Sequence, residues 1–214
     1  GVTYSRINFE GKIVTQKKGF AELPYLNATV MIDPVKNVSI EIIPGSYEDI
    51  SLANPLVPSR GVIYRDQDPS TVPYSIDPRS VTDTWYPVNL AENTEPFILR
   101  DIRGTSVYVY PFQYNAERQI LRVYKTITVR LVENDNISLN PLPKEPTSIV
   151  REMDGIYKSV FINYASSDRD DLTIGEFGDI HVIVTSRDED AIQPYIQWKR
   201  EKGYSVSEEV VPSG

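Results

Sequence analysis

Gln119-Ile120-Leu121-Arg122-Val123-Tyr124-Lys125-Thr126-Ile127-Thr128-Val129-Arg130-Leu131 alternates along its whole length. Leu121, Val123, Ile127, Val129 and Leu131 fall on one face; Ile120, Arg122, Tyr124, Thr126, Thr128 and Arg130 fall on the other. A period of two marks a strand with one face on a core and one in water. Lys125 is the one exception on the apolar face. A single long strand over residues 119–132 is expected, with Leu121, Val123, Val129 and Leu131 in the core.

The sequence before it has the same grammar. Phe97 to Ile102 reads as a strand, Arg103-Gly104 as a turn, and Thr105 to Phe112 as the returning strand. Tyr114 to Arg118 then turns the chain into the long strand, which makes a meander. Val2 to Phe9 and Leu26 to Ile32 read as further strands, and Val38, Ile40 and Ile42 share a strand face. With Pro 16, Gly 11 and Tyr 14, the texture is that of a mainly β, antiparallel, sandwich-like domain. Residues 66–84 hold Pro69, Pro73 and Pro78 and little periodicity, so they read as a long loop.

Composition removes several classes of function. The chain has 214 residues and a net charge of -8, from 22 Lys+Arg against 30 Asp+Glu. A general binder of phosphate backbones needs a basic surface, so no nucleic-acid partner is expected. No apolar run approaches the ~18 residues of a membrane span. Cys 0 removes thiol catalysis, disulfides and Cys-rich metal sites, and His 1 leaves no multi-histidine site. No Gly-x-Ser-x-Gly elbow, phosphate loop or dinucleotide fingerprint is present. Asp66/Asp68 and Asp188/Asp190 have oxygens suited to calcium, but their spacing is generic and solvated turns are the default. No cofactor is expected.

The grammar changes towards the C-terminus. Asp154 is placed to cap a short helix carrying Ile156, Val160 and Tyr164 at four-residue spacing. Ser166 to Asp171 is a polar linker. Ile180-His181-Val182-Ile183-Val184 is a continuous apolar run, as in a strand buried on both faces of a parallel sheet. Ser186 is a candidate N-cap, Ile192, Tyr195 and Ile196 form a helical stripe, and Gly203 stands where a C-terminal glycine belongs. Tyr204-Ser205-Val206 opens another strand, completing a βαβ start. The expected organisation is an all-β domain at 1–165, a linker at 166–178, and the N-terminal fragment of an α/β domain at 179–214. Ile180 to Val184 needs strand partners. It is expected to pair with an edge of the β domain or with a second copy of the chain, the latter giving a homodimer through the C-terminal segment.

Several blocks carry a resemblance. Pro96 to Gly104, Gln113-Tyr114-Asn115, Leu121 to Tyr124 and Ile156 to Tyr164 resemble the propeptides of gingipain-type cysteine peptidases, peptidase family C25. Lys18-Gly19 and Gly61-Val62-Ile63-Tyr64-Arg65 also match, and Asp179 to Val184 with Ala191 to Val206 looks like the start of that family's catalytic domain. The resemblance implies a jelly-roll-like prodomain, secreted or at a bacterial cell surface. Such a prodomain keeps its cognate caspase-like peptidase domain latent, helps it fold, and is released by cleavage after a basic residue. It implies a non-catalytic chain, because the family's catalytic Cys and His lie beyond this sequence and His181 does not match the latter.

The resemblance also points to residues. Arg65 matches the arginine that occupies the peptidase's S1 pocket, on a loop with Ile63, Tyr64 and Asp66. A guanidinium is a planar fork of donors suited to an acidic pocket floor. Arg169, in the polar linker, fits the processing site, with Lys158 and Arg151 as weaker alternatives. Arg100, Asp101 and Arg103 read as structural, an internal ion pair or turn bond. His181 reads as a packed, hydrogen-bonded core histidine. The rival reading is a free-standing cell-surface β-sandwich that binds glycan or protein, with Tyr108, Tyr110 and Tyr124 as its platform.

Overall fold

The computed structural model describes residues 2–9, 13–136, 138–143, 149–165, 173–174 and 178–213. The chain divides into two compact units, Gly1–Glu145 with Phe161–Asn163, and Pro146–Val160 with Tyr164–Gly214.

The first unit is mainly β and antiparallel. Its strands are β1 (Ile13–Val14), β2 (Pro24–Met31), β3 (Asn37–Pro44), β4 (Tyr47–Ser51) and β5 (Ala91–Asn93), then β6 (Phe97–Leu99), β7 (Ile102–Val109), β8 (Phe112–Asn115), β9 (Ile120–Tyr124) and β10 (Ile127–Asn134). One sheet has the order β1-β2-β7-β5, with β6 also on β7. A second joins β4, β9 and β8, and a third pairs β10 with β3. Val2 to Phe9 forms no strand; it makes one bridge, Ser5 to Leu56.

The long alternating stretch is interrupted at Lys125-Thr126, the point where its apolar pattern fails. The opposing chain is interrupted at Gly45-Ser46. Pro44 faces Ile127 and Tyr47 faces Tyr124, so the register continues across the gap without a slip. Gly45 N–H donates to the Thr126 carbonyl and Lys125 N–H to the Ser46 carbonyl, at 2.9 and 2.8 Å. A Cβ on Gly45 would lie 1.9 Å from Thr126 Oγ1, so the ribbon pinches where only glycine fits. Leu121 is buried, while Val123, Val129 and Leu131 are half-buried. The meander is also cut. Thr105 to Phe112 divides at Tyr110-Pro111 into β7 and β8, which belong to different sheets. Proline offers the ladder no N–H.

Ala21, Leu23, Leu56, Phe112, Tyr114 and Leu121 form the core cluster. A second buried feature is polar. Arg103, 1 % exposed, donates through Nε to the Asn140 carbonyl at 2.9 Å and through Nη1 to the Asp33 and Lys36 carbonyls at 2.8 and 2.7 Å. Its Nη2 reaches the Leu139 carbonyl at 2.8 Å and the Ser138 hydroxyl. Arg103 therefore ties two chain turns to β7 by donation to carbonyls rather than by an ion pair. Arg100 stands at the β6–β7 corner with φ 53°, 3.5 Å from Asp101. Next to Arg103, Gly104 lets Phe161 pack on the backbone: an added Cβ would be 2.4 Å from the ring. Asn163 completes that contact, its side-chain amide exchanging bonds of 2.8 and 2.9 Å with the Met31 backbone at the end of β2.

The second unit contains β11 (Ile149–Val150), α1 (Arg151–Val160), β12 (Thr173–Ile174), β13 (Asp179–Thr185), α2 (Glu189–Glu201) and β14 (Ser205–Val211). Asp154 lies inside α1 rather than at its cap; its carboxylate holds Lys158 at 2.6 Å and the Tyr164 hydroxyl at 2.9 Å. Asp188, not Ser186, is the N-cap of α2. Gly203 ends the α2 turn at φ 94°.

β13 pairs in parallel with β14, in register from Asp179↔Ser205 to Thr185↔Val211. This corrects the expectation that it pairs with the β domain or a second copy, and removes the reason given for a homodimer. α2 covers one face of this pair, through Gln193 to Glu208 and Arg200 to the Val206 carbonyl. On the other face Ile183 is 65 % exposed. His181 is also exposed there, bonding Ser207 Oγ at 2.9 Å and Glu209 Oε2 at 3.2 Å. It is not a core histidine.

The Arg103 network gives a test. Arg103→Met keeps the bulk and removes the guanidinium donors to the Asp33, Lys36, Leu139 and Asn140 carbonyls. Unfolding should be easier by about 2–4 kcal/mol, since several charge-assisted bonds from a buried guanidinium are lost together. Urea melts followed by Trp85 fluorescence, in a Trp198→Phe background, report the first unit alone.

Candidate functional site: the arginine loop

Gly61 to Ser80 contains no strand. Its order comes from a clasp at Gly19. Gly19 N–H donates to the Ser59 carbonyl at 2.8 Å, and its own carbonyl accepts from Asp77 N–H at 3.1 Å and Ser80 Oγ at 3.0 Å. One residue thus holds both limbs of the loop. Gly19 has φ +81°, and an added Cβ would sit 2.6 Å from Asp77 N, so no other residue closes the clasp unstrained. The clasp is fixed to the core next door: Ser59 N–H donates to the Phe20 carbonyl at 2.7 Å, and Ala21 bridges Pro58.

Arg60 braces the limbs above the clasp. Its Nη1 donates to the Pro69 carbonyl and, at 3.4 Å, to that of Val72. Its guanidinium lies 4.9 Å from the Tyr74 ring, and the Tyr74 hydroxyl takes a 2.7 Å bond from Arg6 Nη2. Asp68 and Asp77 each cap a single 3₁₀ turn, Pro69–Thr71 and Pro78–Ser80. Asp68 Oδ1 accepts from Ser70 N and Ser70 Oγ, both at 2.8 Å, which holds its carboxyl below the usual range. Asp77 binds the Arg79 guanidinium at 2.6 Å, which together with Arg79 N–H lowers its carboxyl to about 2.

The corner lies at Tyr64–Gln67. Gln67 N–H donates to the Tyr64 carbonyl, and Tyr64 N–H donates to Gln67 Oε1, both at 3.0 Å. Arg65 and Asp66 occupy the two central positions of this β-turn. Both side chains are exposed, and no described residue gives Arg65 a hydrogen bond or ion pair. Asp68 is committed to Ser70 and Asp66 makes no ion pair with Arg65, so the cation has no carboxylate partner among the described residues. Tyr64 and Val62, 66 % and 58 % exposed, stand on the limb before it, with Ile63 half-buried. Arg65 therefore sits at the corner of a turn whose two limbs are held by the clasp.

The other candidates fall elsewhere. Arg169 lies outside the described residues, as does the side chain of Arg151. Lys158 is engaged with Asp154. Tyr108 and Tyr124 belong to different sheets. The Tyr124 hydroxyl bonds Gln113 at 3.0 Å, and that of Tyr110 bonds Glu92. Burial first, and that carboxylate second, push the Tyr110 hydroxyl well above its usual range. Tyr25 packs against both Tyr108 and Tyr110, at 5.5 and 5.7 Å between ring centroids, but Tyr124 stands in another sheet, so the three rings do not form one platform. Among the described residues no cluster of acids and histidine could hold a metal ion, and no helix is long and apolar enough to cross a membrane. Gly19, Arg60 and Gln67 are the parts of the site that sequence reasoning missed. Gln67 had no signal; Lys18-Gly19 matched a motif without revealing its task.

The family model Propeptide_C25 matches residues 2–170, and the chain belongs to that family, the propeptides of C25 cysteine peptidases. Gingipain R2 of Porphyromonas gingivalis is 31 % identical over 190 residues, covering 87 % of this chain and 25 % of the gingipain. Gingipain R1 of the same organism is 31 % identical over 188 residues, covering 87 % and 19 %. The chain thus spans about a quarter or less of these relatives. The solved complex of Porphyromonas gingivalis RgpB pro- and mature domains matches with a TM-score of 0.64 and 30 % identity, over 72 % of this chain and 77 % of that one. A structure described as giving insight into the zymogenic latency of gingipain K shares the fold, with a TM-score of 0.50 and 16 % identity over 57 % and 70 % of the two chains.

The clasp predicts its own failure. Gly19→Ala should lose hydrogen-exchange protection at the Asp77 amide and make residues 61–76 sensitive to proteases. The global cost should be about 1–3 kcal/mol, from backbone strain and the overlap with Asp77.

Proposed function

We propose that this propeptide keeps a C25 cysteine peptidase latent by seating Arg65 in its acidic S1 pocket, and that it assists the folding of that peptidase. The observation that carries the reading is the exposed, unpartnered Arg65 at the corner of a clasped loop. The likeness to a pro- and mature-domain complex supports it. The chain does no chemistry in this role.

The energetics favour such a device. Binding a loose loop costs ordering entropy in every residue that becomes fixed. Here the clasp and the Arg60 brace have fixed the loop before the partner arrives. A cation moved into a cleft loses water, and an intramolecular carboxylate would have to be broken first. Arg65 has none to break, and a bidentate acid in the pocket offsets the lost water. Tyr64 and Val62 extend the contact into the neighbouring apolar subsites, with Ile63 and Asp66 completing the inhibitory loop.

The rest of the organisation follows from the same reading. Residues 1–165 form the prodomain, 166–178 the linker, with Arg169 as the processing site, and 179–214 the first elements of the peptidase domain. The cognate peptidase domain is the partner, and the location is secreted or at the cell surface, as in the family.

Arg65→Ala should weaken inhibition of an arginine-specific C25 peptidase by about 2–5 kcal/mol, as when one member of a buried charge pair is truncated. Arg65→Lys should lose part of that, because an ammonium lacks the planar fork. Thermal stability of the free chain should move by less than about 0.5 kcal/mol, as at an exposed site. Inhibition constants and melts for the three proteins check all of this. Unchanged inhibition in Arg65→Ala would remove Arg65 from the mechanism.

A further inference from the structure

An arginine placed in the S1 pocket of an arginine-specific peptidase puts the Arg65–Asp66 peptide bond next to the catalytic nucleophile. An inhibitor so placed is a substrate unless something prevents the cut. We propose that Gln67 is that safeguard: it locks the Tyr64–Gln67 turn and so keeps the Arg65–Asp66 bond from being hydrolysed. The proposal rests on the placing of Arg65 in the S1 pocket and adds a role for a residue outside that contact.

The geometry is reciprocal. Gln67 supplies a backbone donor to the Tyr64 carbonyl and a side-chain acceptor to the Tyr64 N–H, each at 3.0 Å. The two bonds fasten the residue before Arg65 to the residue after Asp66. Peptidase clefts bind peptides as extended strands, through main-chain bonds along the cleft. The Tyr64 N–H and carbonyl are main-chain groups that such a cleft would use, and both are already taken by Gln67. Cleavage requires the peptidase's nucleophilic sulfur or hydroxyl oxygen to add to the Arg65 carbonyl carbon. The bond to the Asp66 nitrogen then breaks, that nitrogen leaves as an amine with an added proton, and water releases the acyl group from the enzyme. A turn held at both ends delays this, because the bond must first open into an extended form, and the cleavage rate then follows the open population.

The lock is local. Asp68 and Arg60 hold the limb beyond the corner whether or not the Gln67 side chain is present. Removing that side chain should therefore loosen the corner and leave the clasp closed.

The test uses trypsin, which cuts after arginine and needs no cognate partner. Early cleavage at Arg65–Asp66 is measured by mass spectrometry in the full chain, and separately in a linear peptide spanning residues 58–70. Each variant is compared with the peptide of its own sequence, so that the effect of neighbouring acids cancels. The wild-type bond should be cut about tenfold or more slowly in the chain than in the peptide, as for a bond that must open first. In Gln67→Ala that ratio should narrow by about two- to tenfold, the worth of one exposed hydrogen bond. Gln67→Glu, whose carboxylate still accepts from Tyr64 N–H, should keep the wild-type ratio. Melting temperatures should be the same in all three, which separates a local lock from loss of fold. A wild-type bond cut at the peptide's rate, or a ratio unchanged in Gln67→Ala, would overturn the proposal and leave the S1 assignment of Arg65 standing. Loss of inhibition in Arg65→Ala tests that assignment separately.

Discussion

Everything the arginine loop can do depends on the closure at Gly19. The limb before the corner ends at Ser59 and the limb after it ends at Asp77, and both bond the same glycine backbone. The left-handed φ turns the Gly19 N–H towards one limb and its carbonyl towards the other. Without that closure, residues 61–76 would be a long, strand-free, proline-rich loop, and ordering it on a partner would consume much of the binding energy. The clasp puts that cost into folding. Its stiffness derives from the core, because Phe20, Ala21 and Leu23 follow Gly19 directly, and Ala21 and Leu23 belong to the main cluster.

The electrostatics of the loop follow the same division. Asp68 and Asp77 serve the frame: each caps a 3₁₀ turn, and Asp77 also neutralises Arg79. Asp77 stays ionised to about pH 2, so its stabilising contribution is present above the ordinary carboxylate range and is lost as the pH falls through about 2. Arg60 serves the frame too, with its donors on loop carbonyls. Arg65 is left uncompensated on a surface whose net charge is negative overall. Arg103 shows the opposite use of the same side chain: buried, it spends its donors on carbonyls and fastens the frame.

The class of fold was legible because alternation records which face is buried. The long stretch at 119–131 has one lysine on its apolar face, and there the ribbon is pinched. The partner feature, Gly45, reveals its purpose only when Thr126 is seen against it. Alternation carries the Thr105–Phe112 strand reading straight through Pro111, whose missing N–H ends the ladder where the chain passes from β7 to β8 in another sheet. His181 sits in an apolar run, yet periodicity cannot tell a strand covered on both faces from one covered by α2 alone. Asp154 is a good capping residue that instead serves Lys158 and Tyr164. The proposed contact at Arg65 was legible through a motif. Gln67 and Gly19 were not, because a turn closed by a side-chain amide and a clasp across the chain leave no local periodic trace. The Pro96–Gly104 and Ile156–Tyr164 blocks that make the family recognisable hold Arg103, Gly104, Phe161 and Asn163, and these residues build the frame.

The central claim is that the clasped loop is the surface that meets the peptidase. Hydrogen exchange of this chain, free and bound to an arginine-specific C25 peptidase domain, tests it most directly. The account predicts new protection concentrated in the amides of residues 61–68, with Asp77 protected to the same degree in both states because its clasp is already closed. Protection elsewhere on the chain, with residues 61–68 exchanging as fast in the complex as in the free protein, would contradict it.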